Sequence, residues 1–169
     1  LEEKINSLNI KLIKPISHLG SDADYCGIGE EYAFNGAFKE INNGYYLGGG
    51  TGAADALKLH GKLVPFDQIK SWMAKTWEMK NNLNISLENY ASSAGFVKNY
   101  AIKSNIKEED LISNNIFLSQ IAQKALEGDN AAVDTIEEAT KYLALLLYER
   151  ITTIYKGWQN LFKFNNRNR

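Results

Sequence analysis

The stretch from Asn43 to Lys62 constrains this chain more than any other. Tyr45-Tyr46-Leu47 reads as a strand, Ala53 to Leu59 as its partner, and Gly48-Gly49-Gly50-Thr51-Gly52 as the tight turn between them. Four glycines in five residues let the backbone take φ > 0 and leave several N–H groups bare of side chains. Successive N–H groups in such a turn form a concave nest that suits a phosphate or another anion, and Thr51 adds a hydroxyl at the tip. A flexible hairpin that needs glycine only to turn would use the same residues. Both readings stand at this level.

A chain of 169 residues fits one domain or one lobe of a larger protein, and 44% apolar content is enough to bury a proper core. The net charge of −1 gives no footprint for nucleic acid or an anionic membrane. A single cysteine, Cys26, excludes an internal disulfide and suits a reducing compartment. No apolar run approaches the roughly 20 residues of a membrane span, and the start does not read as a signal peptide. A cytoplasmic location is expected.

In chain order, Leu1 to Leu8 reads as a helix and Ile10 to Ile16 as a strand, with Pro15 at its edge or end. A loop, His18 to Asp22, leads into a helix reaching about Phe38. Tyr25, Ile28 and Tyr32 mark its buried face, and Gly27 and Gly29 allow close approach of another element. The glycine hairpin follows, so residues 1–64 have α/β organisation. Residues 65–169 read as mainly helical within the same single lobe. Ile69, Trp72, Met73 and Trp77 are helically spaced after Pro65. Ser86 can cap a helix with the stripe Leu87, Tyr90, Ala91, Ala94 and Val97. Leu118, Ile121, Ala122 and Ala125 line another, ended by Gly128. Asp129 can cap the last and longest helix, whose predicted apolar side carries Val133, Ile136, Leu143, Leu147, Ile151, Ile154 and Trp158. The tail from Phe164 to Arg169 reads as frayed.

Asp22 sits at a strand-to-helix junction, where a carboxylate serves equally as a catalytic group or as an N-cap. Ser21 could cap instead, which would free Asp22 to face a cleft. His18 and His60 have no neighbours at metal-ligand spacing and read as surface or packing residues. Cys26 reads as packing, with no basic residue near to activate it. Trp72, Trp77 and Trp158 read as core or lobe-interface anchors, not base-stacking platforms. The Gly-x-x-x-x-Gly-Lys-Ser/Thr loop is absent. The dinucleotide fingerprint also fails, because Asp55 stands where its third glycine belongs.

Four motifs together carry a family resemblance. Ser21-Asp22-Ala23-Asp24-Tyr25-Cys26-Gly27-Ile28-Gly29-Glu30 resembles the Asn-Asp-Ala-Asn-Ala-Ala-Ala-x-Gly-Glu stretch of the ROK (repressor, open reading frame, kinase) sugar-kinase family. Gly50-Thr51-Gly52, followed by Gly61-Lys62-Leu63, resembles that family's Gly-Thr-Gly-Ile-Gly-Gly-Gly … Asn-Gly-Lys-Leu hairpin. Leu87 to Ala94 is similar to its Cys-Leu-Glu-x-Tyr-Ala-Ser-Gly motif, and Glu127-Gly128-Asp129 to the Ala-Gly-Asp before its long helix.

The resemblance implies the C-terminal lobe of an actin-like, ribonuclease-H-like ATPase fold, with a small sheet and its glycine-rich hairpin packed by several helices. It implies a cytoplasmic transferase that phosphorylates a sugar or polyol from ATP and Mg²⁺ when an N-terminal lobe completes it. This fragment alone is expected to be inactive. Asp22 would be the general base, Ser21 would contact the sugar, and Gly50, Thr51 and Gly52 would hold nucleotide phosphates. Expected partners are a small-molecule sugar, a nucleotide, the missing lobe and a second copy in a homodimer.

The departures are specific. Ala54-Asp55-Ala56 replaces three glycines, and Asp55 would put a negative charge near the phosphates unless it turns away or ligates Mg²⁺. The Glu-x-Gly-His sugar motif has no counterpart, and the zinc-binding cysteines are gone, so no zinc is expected. Two rival readings are a non-catalytic ROK-like regulator or pseudokinase that senses a ligand, and a structural helical module whose glycine turn binds nothing.

Overall fold

The computed structural model of the chain describes residues 2–13, 20–69 and 73–157, with the backbone of 163–164. The expectations for Pro15, Ile16, His18, Trp72, Trp158 and the basic tail lie outside these residues. A short helix, α1 (Glu2–Ser7), opens the chain, and α2 (Asp22–Tyr32) packs on a three-stranded antiparallel sheet. Its strands β1 (Gly44–Gly49), β2 (Ala53–Leu59) and β3 (Lys62–Leu63) lie in sequence order, with Gly49 opposite Ala53. The bend is therefore confined to Gly50-Thr51-Gly52. Beyond the sheet, β4 (Met79–Lys80) pairs with β5 (Lys163–Phe164).

The helices α3 (Glu88–Ala91), α4 (Ser93–Ser104), α5 (Glu108–Ser113), α6 (Leu118–Leu126) and α7 (Asn130–Lys156) form the rest. Leu87, Tyr90, Val97, Tyr100, Ile121, Ala139 and Leu146 form their common core, each at most 2% exposed. Fully burying one large apolar side chain contributes about 1.5–3 kcal/mol, so this cluster dominates the packing of the helical part. The junction before α7 follows the sequence expectation. Gly128 takes φ +89° past the end of α6, and the Asp129 carboxylate accepts the Ala132 N–H at 3.0 Å to cap α7.

Three expectations of local structure differ from what is observed. Residues 10–13 form no strand. The helix expected from Ser86 breaks into α3 and α4 at Ser92, whose extended backbone and hydroxyl, accepting the Gly95 N–H at 3.1 Å, start a new helix. The helical spacing after Pro65 gives two single 3₁₀ turns, Phe66–Gln68 and Thr76–Glu78, with residues 73–75 outside any helix and Met73 buried against Leu57 and Phe66.

The apolar faces of two helices are also turned. α2 buries Ala23 and Gly27, where a Cβ on Gly27 would meet the Ala56 methyl at 2.7 Å, and leaves Tyr25, Ile28 and Tyr32 along an open groove. Small residues let helix and strand backbones approach more closely than aromatic side chains could. Gly29 faces open space and plays no such part. In α7 the last turns bury Glu149, Arg150 and Thr153, while Leu147, Ile151 and Ile154 are exposed.

Candidate functional site

Ser21, not Asp22, caps α2. Its hydroxyl accepts the Asp24 N–H at 3.3 Å, and its own N–H donates to the Asp24 carboxylate at 3.2 Å, which closes a capping box. Asp22 is not the cap; it stands in the first helical turn, where its carboxylate accepts the Ala23 N–H at 2.9 Å. With Ala23 and Cys26 it lines a cleft of about 550 Å³ that also takes in residues 48–54, the whole glycine bend and its flanks. The carboxylate and the amide-rich turn thus share one cavity. Ser21 is not part of that lining. Its hydroxyl is held by the cap and by Lys75, whose ammonium donates to it at 2.7 Å.

The bend itself is fixed from three sides. Glu88 at the start of α3 accepts the Ala53 N–H at 3.0 Å, Ser93 at the start of α4 donates its N–H to the Gly50 carbonyl at 2.9 Å, and Gly50 N–H closes on the Gly52 carbonyl at 2.9 Å. A Cβ on Gly49 would run into the Ala91 carbonyl oxygen, so this docking requires glycine there. Such a turn is not a loose hairpin. Among the described residues, the N–H groups of Thr51 and Gly52 make no internal hydrogen bond and remain available.

Gly50 and Thr51 also form one edge of a second cavity of about 430 Å³. Ser93, Ala94 and Val97 of α4, Glu108 and Ile112 of α5, and Phe117 line its other sides. The glycine bend is therefore a saddle between two hollows. One contains Asp22. The other is mainly apolar, with the start of α4 in its wall.

Asp55 faces away from this site. It is 2% exposed, forms a close ion pair with Arg150 of α7, and accepts from the Tyr45 hydroxyl at 3.1 Å and the Thr76 N–H at 3.3 Å. Burial, reinforced by the Asp55 charge, pushes the Tyr45 hydroxyl well above its ordinary value. Arg150 has no sequence neighbour that would mark it as this partner. Lys75 enters the cleft unforeseen, and Trp77, expected as a core or lobe-interface anchor on a helically spaced stripe, is 45% exposed in the cleft lining, where the chain forms only a 3₁₀ turn. Cys26, expected as packing, is half-buried in the cleft wall. His60 is exposed at the β2–β3 turn. Among the described residues no group of three or more His, Cys, Asp or Glu side chains is placed to hold a metal ion.

The architecture is a fold shared with solved sugar-kinase structures. A ROK family glucokinase from Streptomyces griseus, in complex with glucose and AMPPNP, superposes with a TM-score of 0.59 at 16% identity, over 92% of this chain and 53% of that one. A candidate sugar kinase from Cytophaga hutchinsonii ATCC 33406 superposes with a TM-score of 0.52 at 19% identity, over 80% of this chain and 45% of that one. The chain thus spans about half the length of the structures it matches. No protein-family profile and no curated protein matches the sequence.

Proposed function

We propose that this chain is the lobe of an ATP-dependent sugar kinase that carries the general base and the phosphate cradle, active when an N-terminal lobe completes it. The observation that supports this most is the shared saddle: Gly50 and Thr51 border both the Asp22 cleft and the apolar second cavity. A nucleotide lying across it would have its base and ribose against Val97, Ile112 and Phe117. Its phosphates would cross the free N–H groups of Thr51 and Gly52 near the positive end of α4. The terminal phosphate would then lie toward Asp22.

Phosphoryl transfer asks a protein mainly for positioning and charge stabilisation, with one carboxylate to accept the proton of the attacking hydroxyl. Asp22 fills that role. Its position is set by the Ser21 cap, so Ser21, expected to touch the sugar, acts on it here through the orientation of Asp22. ATP supplies the phosphoryl group. Glu88 and Asp22 are the cleft carboxylates that would face Mg²⁺ brought in on the nucleotide.

The test is Asp22→Asn in the full-length protein. Loss of general-base catalysis should lower kcat for sugar phosphorylation by about 10²–10⁴-fold. Alkylation of Cys26 should still be slowed by ADP–Mg²⁺, because the cradle is untouched. Activity surviving within a few-fold would remove Asp22 from its role. Protection of Cys26 without any turnover in the wild type would point to a ligand-sensing pseudokinase on the same fold.

A further inference from the structure

We propose that Lys75 is a positioning residue for Asp22, locking the first turn of α2 to the wall of the cleft so that the carboxylate keeps one direction. This rests on the kinase reading above, in which Asp22 is the base. The middle of α2 is seated on β2 by the close approach of Gly27 to Ala56. Its first turn, which carries Asp22, is held by polar contacts. Among the described residues, every other side-chain hydrogen bond of Ser21, Asp22 and Asp24 is local to that turn. Lys75 supplies the long-range one.

The Lys75 ammonium donates to the Ser21 hydroxyl at 2.7 Å and lies 3.9 Å from the Asp24 carboxylate. That hydroxyl also accepts the Asp24 N–H at 3.3 Å and donates to the Asp24 carboxylate at 3.0 Å. Its two lone pairs and its proton are all committed, so Ser21 cannot rotate without losing a bond. Asp22 is the next residue in the chain. The anchor itself is rigid. The Lys75 N–H bonds the Glu78 carboxylate at 3.0 Å, and the Thr76 N–H bonds the buried Asp55 at 3.3 Å. Met73 and Ala74, just before it, are sealed in the core at 0% and 1% exposure.

The Lys75 side chain is 3% exposed and lines the same cavity as Asp22 and the glycine bend. A buried ammonium without acceptors is costly, so the contact with Ser21 is enforced and not merely permitted. A base must come within hydrogen-bond reach of the hydroxyl it deprotonates, and a misplacement of about 1 Å can cost about 100-fold in rate. The local cap alone would shape the turn but leave it able to shift against the bend. A staple that only held the fold together would use the same contacts. What distinguishes the two roles is whether the loss passes through Asp22.

The experiment is a double-mutant cycle in the full-length protein, with Lys75→Met, Asp22→Asn and the two combined. Turnover is read with ATP–Mg²⁺ and the best-used acceptor from a panel of aldohexoses and alditols. Lys75→Met should lower kcat about 10- to 100-fold and leave the KM for ATP within about two-fold. In the Asp22→Asn background the same change should cost less than about two-fold, because no base remains to be misplaced. Ser21→Ala, which removes the acceptor, should reproduce the loss, and Ser21→Thr, which keeps the hydroxyl, should restore most of it. These two variants carry the test in the same cycle if Lys75→Met does not fold. A kcat for Lys75→Met within about two-fold of the wild type overturns the proposal. So does an equal fold-loss in both backgrounds, which marks a structural staple. Asp22→Asn separates the failures. If it is impaired and the cycle is additive, the positioning role alone is wrong; if it keeps activity within a few-fold, or the wild type turns over no acceptor, the kinase reading falls and the proposal with it.

Discussion

In the helical part, Tyr100, Ile121 and Leu146 meet through apolar surfaces contributed by α4, α6 and α7, each at most 1% exposed. The cleft is held differently. Single polar atoms do the fixing there: one carboxylate oxygen on the Ala53 N–H, one N–H on the Gly50 carbonyl, one ammonium on the Ser21 hydroxyl. Apolar packing is non-directional and adds up by area, so it degrades in steps as atoms are removed. A directional contact is present or lost. The helical part should therefore govern stability and tolerate repacking, while the cleft should be unforgiving in function and contribute less to stability.

One contact crosses this divide and tests it most severely. Arg150, on α7 in the helical part, is paired with Asp55 on β2, and both are at most 2% exposed. Phe66 and Tyr45 stack near its guanidinium, with centroids 5.4 and 5.8 Å away. Arg150→Met leaves a buried carboxylate without its cation, and urea unfolding should show a loss of about 3–5 kcal/mol. The double variant Asp55→Leu/Arg150→Met should recover most of that, because apolar residues of similar volume can replace a buried pair at little net cost. If the single variant costs less than about 1 kcal/mol, solvent reaches the pair and the division between the two parts is false.

The next effect separates the parts directly. Ile121→Ala should cost about 2–5 kcal/mol of stability, with the affinity for ADP–Mg²⁺ unchanged in the fraction that remains folded. Gly49→Ala should cost about 1–3 kcal/mol, since its methyl would have to displace the Ala91 carbonyl. It should nonetheless abolish measurable ADP–Mg²⁺ binding by calorimetry, because the bend can no longer dock between α3 and α4. Equal effects of the two changes on nucleotide affinity would mean that the bend is not the cradle.

The two parts were also unequally legible from sequence. Glycine and aspartate at Gly128-Asp129 announce the end of one helix and the cap of the next through local chemistry alone, and the 3.6-residue spacing of α6 places Ile121 inside. Asp22 and the bend could be found because their motifs are contiguous. Lys75 and Trp77 could not: helical spacing puts Trp77 on a buried stripe, but the backbone there makes a single 3₁₀ turn tied to Glu78 and Ser86, and the Lys75 ammonium reaches Ser21, 54 residues away. The second half of α7 misleads for a related reason. Its apolar stripe, Leu147, Ile151 and Ile154, reads as the buried face, but Asp55 lies 95 residues earlier and draws Arg150 inward. Hydrophobic spacing ranks charges as outward-facing, and only the three-dimensional pairing reverses that. Small residues mislead in the opposite direction on α2, where Ala23 and Gly27 make the contact and the aromatics do not.

The smallest expected effect concerns the acid that turns inward beside this pair. Glu149 is fully buried; one oxygen accepts the Thr153 hydroxyl, while the other has no hydrogen-bond partner and lies 3.8 Å from Arg150. Burial pushes its carboxyl above the usual range, and the nearby Asp55 charge acts in the same direction, while Thr153 and Arg150 oppose it. The folded protein thus holds this proton more tightly than the unfolded chain does. The stability gained is complete below the unfolded carboxylate value, about 4.5, and is lost as pH rises through the elevated folded one. Glu149→Gln keeps the acceptor for Thr153 and removes the ionisation. Its urea midpoint should match the wild type near pH 4 and exceed it near pH 8, by the equivalent of about 1 kcal/mol. A difference that stays constant between those pH values would mean that Arg150 already balances Glu149 along with Asp55, and that the polar tie between the two parts is a triad instead of a pair.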